Sequence, residues 1–474
     1  MSRQTRRSFL KSAAATAAAS SVFPLFTIAG TKASGQVLGA NDAIRLAVLG
    51  MGVRGPQHID MFTRQKGVKI VAVCDPDQKR IDARSGKVKE HLGSDPKTAQ
   101  DPRPLIEDQN IDAITIAAPN HWHSLLGIWG CQAGKDVYCE KPCSHSVWEG
   151  AKLVEAARKY GKIVSHGTQQ RSEARKLRRA QEIAEGKHGK LLVSRAFVFR
   201  GRGSIGFKNP ATPPSHLNWD VFLGPAPQQP YHENIVHYNW HWFWDFGGGD
   251  MANNGIHSID AARWMVPNGK LPRSVLCVGG RFGYKDQAET PNTQYVVFEY
   301  ADGTLLTCEM RGLPTKSPQG PEQVFDENAS VSPIEVTSPD DVKNPLADRG
   351  PGNIFENWIA AVRARDPKML DAHIHEGHYS TIHCHLANIS YRLGQEVPFD
   401  AKKNAFGDDK EAGETFGKLK EHLKDNGVEL SETTYRLGRK LVLDPETEMV
   451  ENDKEANELF RREYRAPFVV PETV

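Results

Sequence analysis

The stretch Ile44–Asp75 constrains this chain most. An apolar run, Ile44-Arg45-Leu46-Ala47-Val48-Leu49, leads into Gly50-Met51-Gly52-Val53-Arg54-Gly55 and a helix-like span. A second apolar run, Val68-Lys69-Ile70-Val71-Ala72-Val73-Cys74, ends on Asp75. Strand, glycine turn, helix, strand and acid in this order are the sequence form of a dinucleotide site. Gly50 permits the tight turn, Gly52 lets the backbone approach a pyrophosphate, and Gly55 lets the helix sit close to the strand. Met51, Val53 and Arg54 complete the phosphate loop, and the free N–H groups of the helix start face the phosphates. Asp75, 20 residues beyond Gly55, is placed to accept hydrogen bonds from a ribose diol. An acid there repels a 2′-phosphate, so NAD is expected rather than NADP.

The rest of the first 166 residues continues this alternation. Ile111–Ala118 reads as a buried strand whose β-branched composition suits a parallel sheet covered on both faces. Pro119-Asn120-His121-Trp122-His123 follows at its C-terminal edge and is expected to form a loop near the cofactor, opening a helix over Ser124–Ala133. With no carboxylate nearby, its two histidines are not expected to bind metal. Asp136–Cys139 is another strand and leads into Glu140-Lys141-Pro142. A lysine at that edge can hold a substrate hydroxyl or help move its proton; the bland alternative is a surface Lys-Pro turn. A helix over Val147–Tyr160 and a strand over Lys162–His166 complete the unit.

Alternating strands are expected at Leu191–Arg200, Ser274–Gly280, Gln294–Tyr300 and Thr304–Arg311, forming a sheet with one covered face. The proline-rich insertion between the first two reads as a pocket wall or a subunit contact. Chemistry is densest from Tyr238 to Asp260. Trp240, Trp242 and Trp244 are candidates to stack on sugar faces. Asn253, His257 and Asp260 recur at helical spacing and are expected on one face. His257 would exchange protons, Asn253 would orient a hydroxyl, and Asp260 would orient the imidazole or close the helix face. A buried aromatic core with a structural histidine is the plainer reading.

The 474 residues allow two or three domains. Arg3, Arg6, Arg7 and Lys11 carry four positive charges, so the formal charge of +2 falls to −2 without them. No basic face is implied, and nucleic acid is not expected as a partner. Seven scattered cysteines show no disulfide framework and no zinc-site spacing. Asn353–Arg365 and Cys384–Leu393 read as helices, the second packed against the nucleotide domain. His373, His375, His378, His383 and His385 are ascribed to packing rather than to a metal. Tyr391-Arg392-Leu393-Gly394 recurs as Tyr435-Arg436-Leu437-Gly438, a candidate repeated helix end. The prolines beyond Tyr464 suggest an extended clamp on a neighbouring domain or subunit.

Two resemblances follow from these residues. Thr5-Arg6-Arg7-Ser8-Phe9-Leu10-Lys11, before the Ala/Ser-rich Ala13–Ala29, resembles a bacterial twin-arginine export signal. It implies a periplasmic or exported protein, with no stable transmembrane domain and with an uncleaved anchor as the alternative. Gly50-x-Gly52-x-x-Gly55, Glu140-Lys141-Pro142 and Gly255-x-His257-x-x-Asp260 together resemble the glucose–fructose oxidoreductase / inositol dehydrogenase family over roughly residues 42–400. The resemblance implies an α/β protein: an N-terminal Rossmann domain and a C-terminal α/β domain with an open, largely antiparallel sheet that often forms a homo-oligomer. It implies NAD(P)-dependent hydride transfer on a sugar, sugar derivative or cyclitol, with Lys141 and His257 catalytic. The expected divisions are a signal and linker (1–40), a nucleotide domain (41–166), a substrate domain (167–400) and a charged extension (401–474). Family dehydrogenases usually carry Asp where this chain has Asn253. Exported glycosidases of the superfamily resemble the chain there and in Trp244-Asp245-x-Gly247-x-Gly249-Asp250. They hydrolyse through a transient oxidation with tightly held NAD, which makes glycoside hydrolysis the alternative activity; a non-catalytic sugar-binding protein is a third.

Overall fold

The computed structural model describes residues 43–315, 322–326, 329–330, 353–399, 405–407 and 409–474. The export-like motif at 5–11 lies outside them.

Six parallel strands form the first sheet: β1 (Ile44–Leu49), β2 (Val68–Cys74), β3 (Lys97–Ala99), β4 (Ala113–Ile116), β5 (Asp136–Cys139) and β6 (Val164–His166). Their order is β3-β2-β1-β4-β5-β6, the doubly wound arrangement. The chain direction across the sheet reverses between β1 and β4. A crevice therefore opens at their C-terminal edges, bordered by Gly50 on one side and Pro119 on the other. Apolar strands such as Val68–Cys74 work here because helices cover both faces; Leu46, Val48, Ile70 and Val73 are fully buried. Burying one such side chain contributes roughly 1.5–3 kcal/mol.

The expected loop at Pro119–His123 is helical instead. The helix runs Asn120–Gln132 with Pro119 at its N-cap, and every residue in it is buried. It is apolar nearly all round because it lies between the first sheet and the Val147–Lys159 helix, as Leu125, Leu126, Ile128 and Leu153 in one core show.

The second sheet has ten strands and is largely antiparallel. Its strands are β7 (Leu191–Phe199), β8 (Ser274–Gly280), β9 (Thr293–Glu299), β10 (Leu305–Arg311), β11 (Glu322–Asp326), β12 (Ala329–Ser330), β13 (Gln395–Pro398), β14 (Thr434–Leu437), β15 (Leu441–Asp444) and β16 (Met449–Val450). The main order is β12-β11-β7-β10-β9-β8-β14-β13, with β7 and β10 parallel. Two helices, Ile256–Met265 and Ile374–Arg392, pack on this sheet: Ser194 donates to the Ala262 carbonyl at 2.9 Å, and Ser390 accepts from the Cys277 N–H at 3.0 Å. The longer helix also reaches the nucleotide domain, where Ser144 and His385 are 3.2 Å apart.

The chain beyond 401 is part of this body. β14 and β15 both pair with β8, and Phe468, Val470 and Val474 are buried in the core of the first sheet. The clamp expected of the last residues thus closes on the nucleotide domain of the same chain. The Tyr-Arg-Leu-Gly recurrence is no repeated unit: Tyr391 and Arg392 end a helix, whereas Tyr435–Leu437 lie in β14. All seven cysteines are buried free thiols. Among the described residues no helix is long and apolar enough to cross a membrane, and no cluster of three or more His, Cys, Asp or Glu is placed to hold a metal ion.

Candidate functional site

The glycine turn is built as its spacing requires. Gly50 has φ +97°, and a Cβ there would lie 2.5 Å from the Ala117 carbonyl carbon. A Cβ on Gly55 would lie 2.0 Å from the Gly50 carbonyl oxygen, so helix and turn touch directly. Gly52 is different, since its Cβ would meet only Arg80, at 3.7 Å. Its space is open to the crevice, where a bound phosphate needs it.

A cavity of about 350 Å³ runs from this turn across the crevice. Asp75 and Arg80 border one end, Lys141, Asn253 and His257 the other, with Pro119, Asn120 and His123 between. Tyr238, Trp240 and His241, from the proline-rich insertion, form part of its wall. Asp75 accepts from the Met51 N–H at 2.6 Å and the Asp77 N–H at 2.9 Å. Burial nevertheless pushes its carboxyl up to about 6.

The glycine turn and Glu140-Lys141-Pro142 are joined directly. Glu140 Oε1 accepts from Arg54 Nε at 2.6 Å and from Gln169 Nε2 at 3.3 Å, and stands 3.0 Å from His58 Nε2. Burial opposes its ionisation, but His58 and the Arg54 guanidinium outweigh that and hold its carboxyl well below the usual range. Glu140 Oε1 is thus occupied by protein groups, so its first role is to fix this end of the crevice. His58 and Gln169 escaped the sequence reading; the spacing of Arg54 and His58, one turn apart on a helix that opens at the phosphate loop, was the available signal.

Lys141 Nζ donates to the backbone carbonyl of Asn253 and stands 3.1 Å from its side-chain oxygen. Burial lowers the Lys141 ammonium to about 8. Burial, with Lys141 adding repulsion, lowers His257 to about 3, so its imidazole is neutral at pH 7. The two acids of the Trp244–Asp250 stretch find other partners than Lys141. Asp250 pairs with Arg202 at 2.6 Å, and Asp245 accepts from Gln229 at 2.9 Å.

Asn253, His257 and Asp260 do not share one face. Met251–Gly255 forms a π-helical turn before the α-helix Ile256–Met265. Asn253, within that turn, and His257, just after it, both border the cavity. Asp260 is turned away, fully buried, with both oxygens within 3.0 Å of Arg171 Nε and Ser380 Oγ donating at 2.5 Å. These contacts tie the helix to Arg171 and Ser380. The three tryptophans also diverge. Trp240 borders the cavity with the His241 ring stacked on it at 3.6 Å, while Trp242 lies under Arg202 and Trp244 under Arg392.

His123 is placed structurally, its ring nitrogens 2.6 Å from the Pro142 carbonyl and 2.8 Å from that of Ala118. Asn120, whose side-chain oxygen is buried without a partner, faces the cavity from the same helix.

Residues 44–168 match the NAD-binding Rossmann fold of an oxidoreductase family (GFO_IDH_MocA), and residues 194–423 match that family's C-terminal alpha/beta domain. Inositol 2-dehydrogenase 2 of Saccharopolyspora erythraea is 25% identical over 269 residues, 56% of this chain and 66% of that protein. Glycosyl hydrolase family 109 protein 2 of Shewanella sp. (strain MR-4) is 31% identical over 172 residues, 33% of this chain and 38% of the relative. The chain thus spans about two thirds or less of the length of these relatives. Among solved structures, the WlbA dehydrogenase of Bordetella pertussis with NADH and UDP-GlcNAcA superposes with a TM-score of 0.54 at 18% identity, covering 73% of this chain and 96% of that one. The myo-inositol 2-dehydrogenase of Lactobacillus plantarum gives 0.51 at 19% identity, covering 73% and 98%. At such identities these structures show the fold alone. Together with the glycine cradle and the doubly wound sheet, the two domain matches show that the chain belongs to this oxidoreductase family and binds NAD.

Proposed function

We propose that the chain transfers hydride at a hydroxyl-bearing carbon of a sugar, sugar derivative or cyclitol. The observation that carries this reading is that Lys141 and His257 border the same cavity as the glycine turn. NAD, when bound, supplies the hydride acceptor. Lys141 would hold the substrate hydroxyl oxygen, and its lowered ammonium would ease loss of the hydroxyl proton. Among the described residues the His257 ring has no hydrogen-bond partner, so both nitrogens are available to a substrate hydroxyl. Export by the twin-arginine route is part of the proposal and rests on Thr5–Lys11 alone.

Net glycoside hydrolysis is the second reading. What favours it is Asn253, an amide where a carboxylate beside Lys141 is expected of the dehydrogenases, together with the likeness to a family 109 glycosyl hydrolase. The protein is purified without added nucleotide, its bound NAD(H) is measured after denaturation, and sugars and glycosides are supplied with and without NAD. NADH formed in proportion to product supports the dehydrogenase. Aglycone release without NADH supports the hydrolase. Absence of hydride transfer to or from the nucleotide with every substrate overturns both.

A further inference from the structure

Beyond Tyr238 lies a second cavity, of about 370 Å³, that shares this one side chain with the first. Each cavity falls within the range of roughly 300–1,000 Å³ typical of small-molecule sites. The two are also joined by a run of polar contacts. Arg200 Nη1 donates to Asn254 Oδ1 at 3.1 Å, Asn254 Nδ2 donates to Asp250 Oδ1 at 2.7 Å, and Arg202 donates to the same oxygen at 2.6 Å. Arg200 and Asn254 border the first cavity, Asp250 and Arg202 the second.

Charge in the second cavity is balanced. Its two cations each meet a well-buried carboxylate: Arg202 meets Asp250 at 2.6 Å, and Arg281 meets Asp286 at 2.7 Å. Arg202 gives Nε and Nη2 to Asp250, and Arg281 gives Nε and Nη2 to Asp286 and Nη1 to the Thr290 carbonyl, so the charge of each cation is offset by an acid. What remains is dense in donors and acceptors but without net charge, set beside the Trp242 ring, over which Arg202 sits at 5.0 Å. That chemistry suits an uncharged polyhydroxylated group.

We propose that this cavity is a second carbohydrate compartment holding the uncharged group attached to the reacting sugar, so that the substrate is a disaccharide or larger neutral glycoside. The inference rests on the proposed placement of the reacting sugar at Lys141 and His257. A free cyclitol would leave the compartment empty, and a sugar nucleotide would place its charge in a compartment whose two arginines are already neutralised by Asp250 and Asp286.

The test uses the NAD-loaded full-length protein and calorimetric titration with lactose, cellobiose and maltose against galactose, glucose, myo-inositol and UDP-glucose. At least one disaccharide is expected to bind about tenfold tighter than its component monosaccharides. Gly203→Trp should remove that advantage. Gly203 is exposed, its φ is not positive, and a Cβ there meets nothing within 4 Å, so the bulk enters open space. Gly201→Trp, equally unobstructed, serves if the first variant does not fold. Equal affinities for disaccharides and monosaccharides, tightest binding of UDP-glucose, no saccharide binding, or an unchanged preference in both filled variants would each overturn the compartment. A disaccharide preference that persists without hydride transfer would instead count against the proposed chemistry and leave the compartment standing.

Discussion

Lys141 Nζ lies 3.1 Å from the Asn253 side-chain oxygen, so the cation at this end of the cavity has a neutral partner where a carboxylate would stabilise its charge. Burial can then lower Lys141 to about 8. The neutral amine accumulates above that pH, so alcohol oxidation should rise tenfold per unit below about 8 and level off beyond it, while reduction runs the opposite way. Asn253→Asp restores a negative neighbour, favours the ammonium, and should move the limb up by about 1 unit or more. Single-turnover rates across pH 6–10 check this. A limb that does not move in Asn253→Asp means that the amide does not set the titration.

His257 is neutral over the whole working range, because burial and Lys141 lower it to about 3. No acid limb near 6.5 is therefore expected in the rate profile. Lys141→Met and His257→Gln should each slow hydride transfer by roughly 10²–10⁴-fold while bound NAD is retained. The paired readout matters: a variant that also loses NAD has lost its site, not a proton-handling group. Wild-type-like transfer in both variants sinks the assignment.

The nucleotide half was legible because its signals are local. Turn, strand and acid lie within one unit, and the strands at Ser274–Gly280 and Thr293–Glu299 fell within a residue of their expected limits. What stayed hidden depends on tertiary contact or on a change of helical type. Glu140, Arg54 and His58 are joined only when the sheet brings the end of β5, across β4, to the helix that follows the glycine turn. The π turn at Met251–Gly255 has no sequence signature, and the pairing of Asp260 with Arg171 is a contact across 89 residues. β14 and β15 are short, four residues each, and of mixed polarity, so the chain after 401 reads from its sequence as a charged extension.

Asp77 fastens the proline-rich insertion to the nucleotide domain. His216 and His237, both on that insertion, stand 2.8 Å from its two oxygens, and the Asn218 N–H donates to the Pro76 carbonyl at 2.8 Å. His237 borders the cavity beside Asp75, so nucleotide leaving this end meets the fastening. Asp77→Asn keeps an acceptor for the helix start, where Lys79 N–H donates at 2.9 Å, but removes the charge. Retained NAD after extended dialysis should fall, with dissociation about tenfold faster and folding stability changed by about 1 kcal/mol or less. Equal retention would show that the insertion does not govern release.

The last residues should be integral to the nucleotide domain. Phe468 is fully buried, its ring edge-on to Trp122 at 5.3 Å, with the Arg103 and Arg465 guanidiniums over it at 5.1 and 5.0 Å. Trp122 in turn donates to the Val221 carbonyl at 3.1 Å and borders the NAD cavity. Phe468→Ala leaves a void beneath that wall and should cost about 3–5 kcal/mol. The melting temperature should fall by roughly 3–5 °C. Added NAD should recover part of the loss, because a ligand that binds only the folded form stabilises it by mass action. Unchanged melting in Phe468→Ala would mean that the tail merely lies on the domain; weaker NAD binding by the folded variant than by the native protein would tie the tail to the cofactor wall through Trp122.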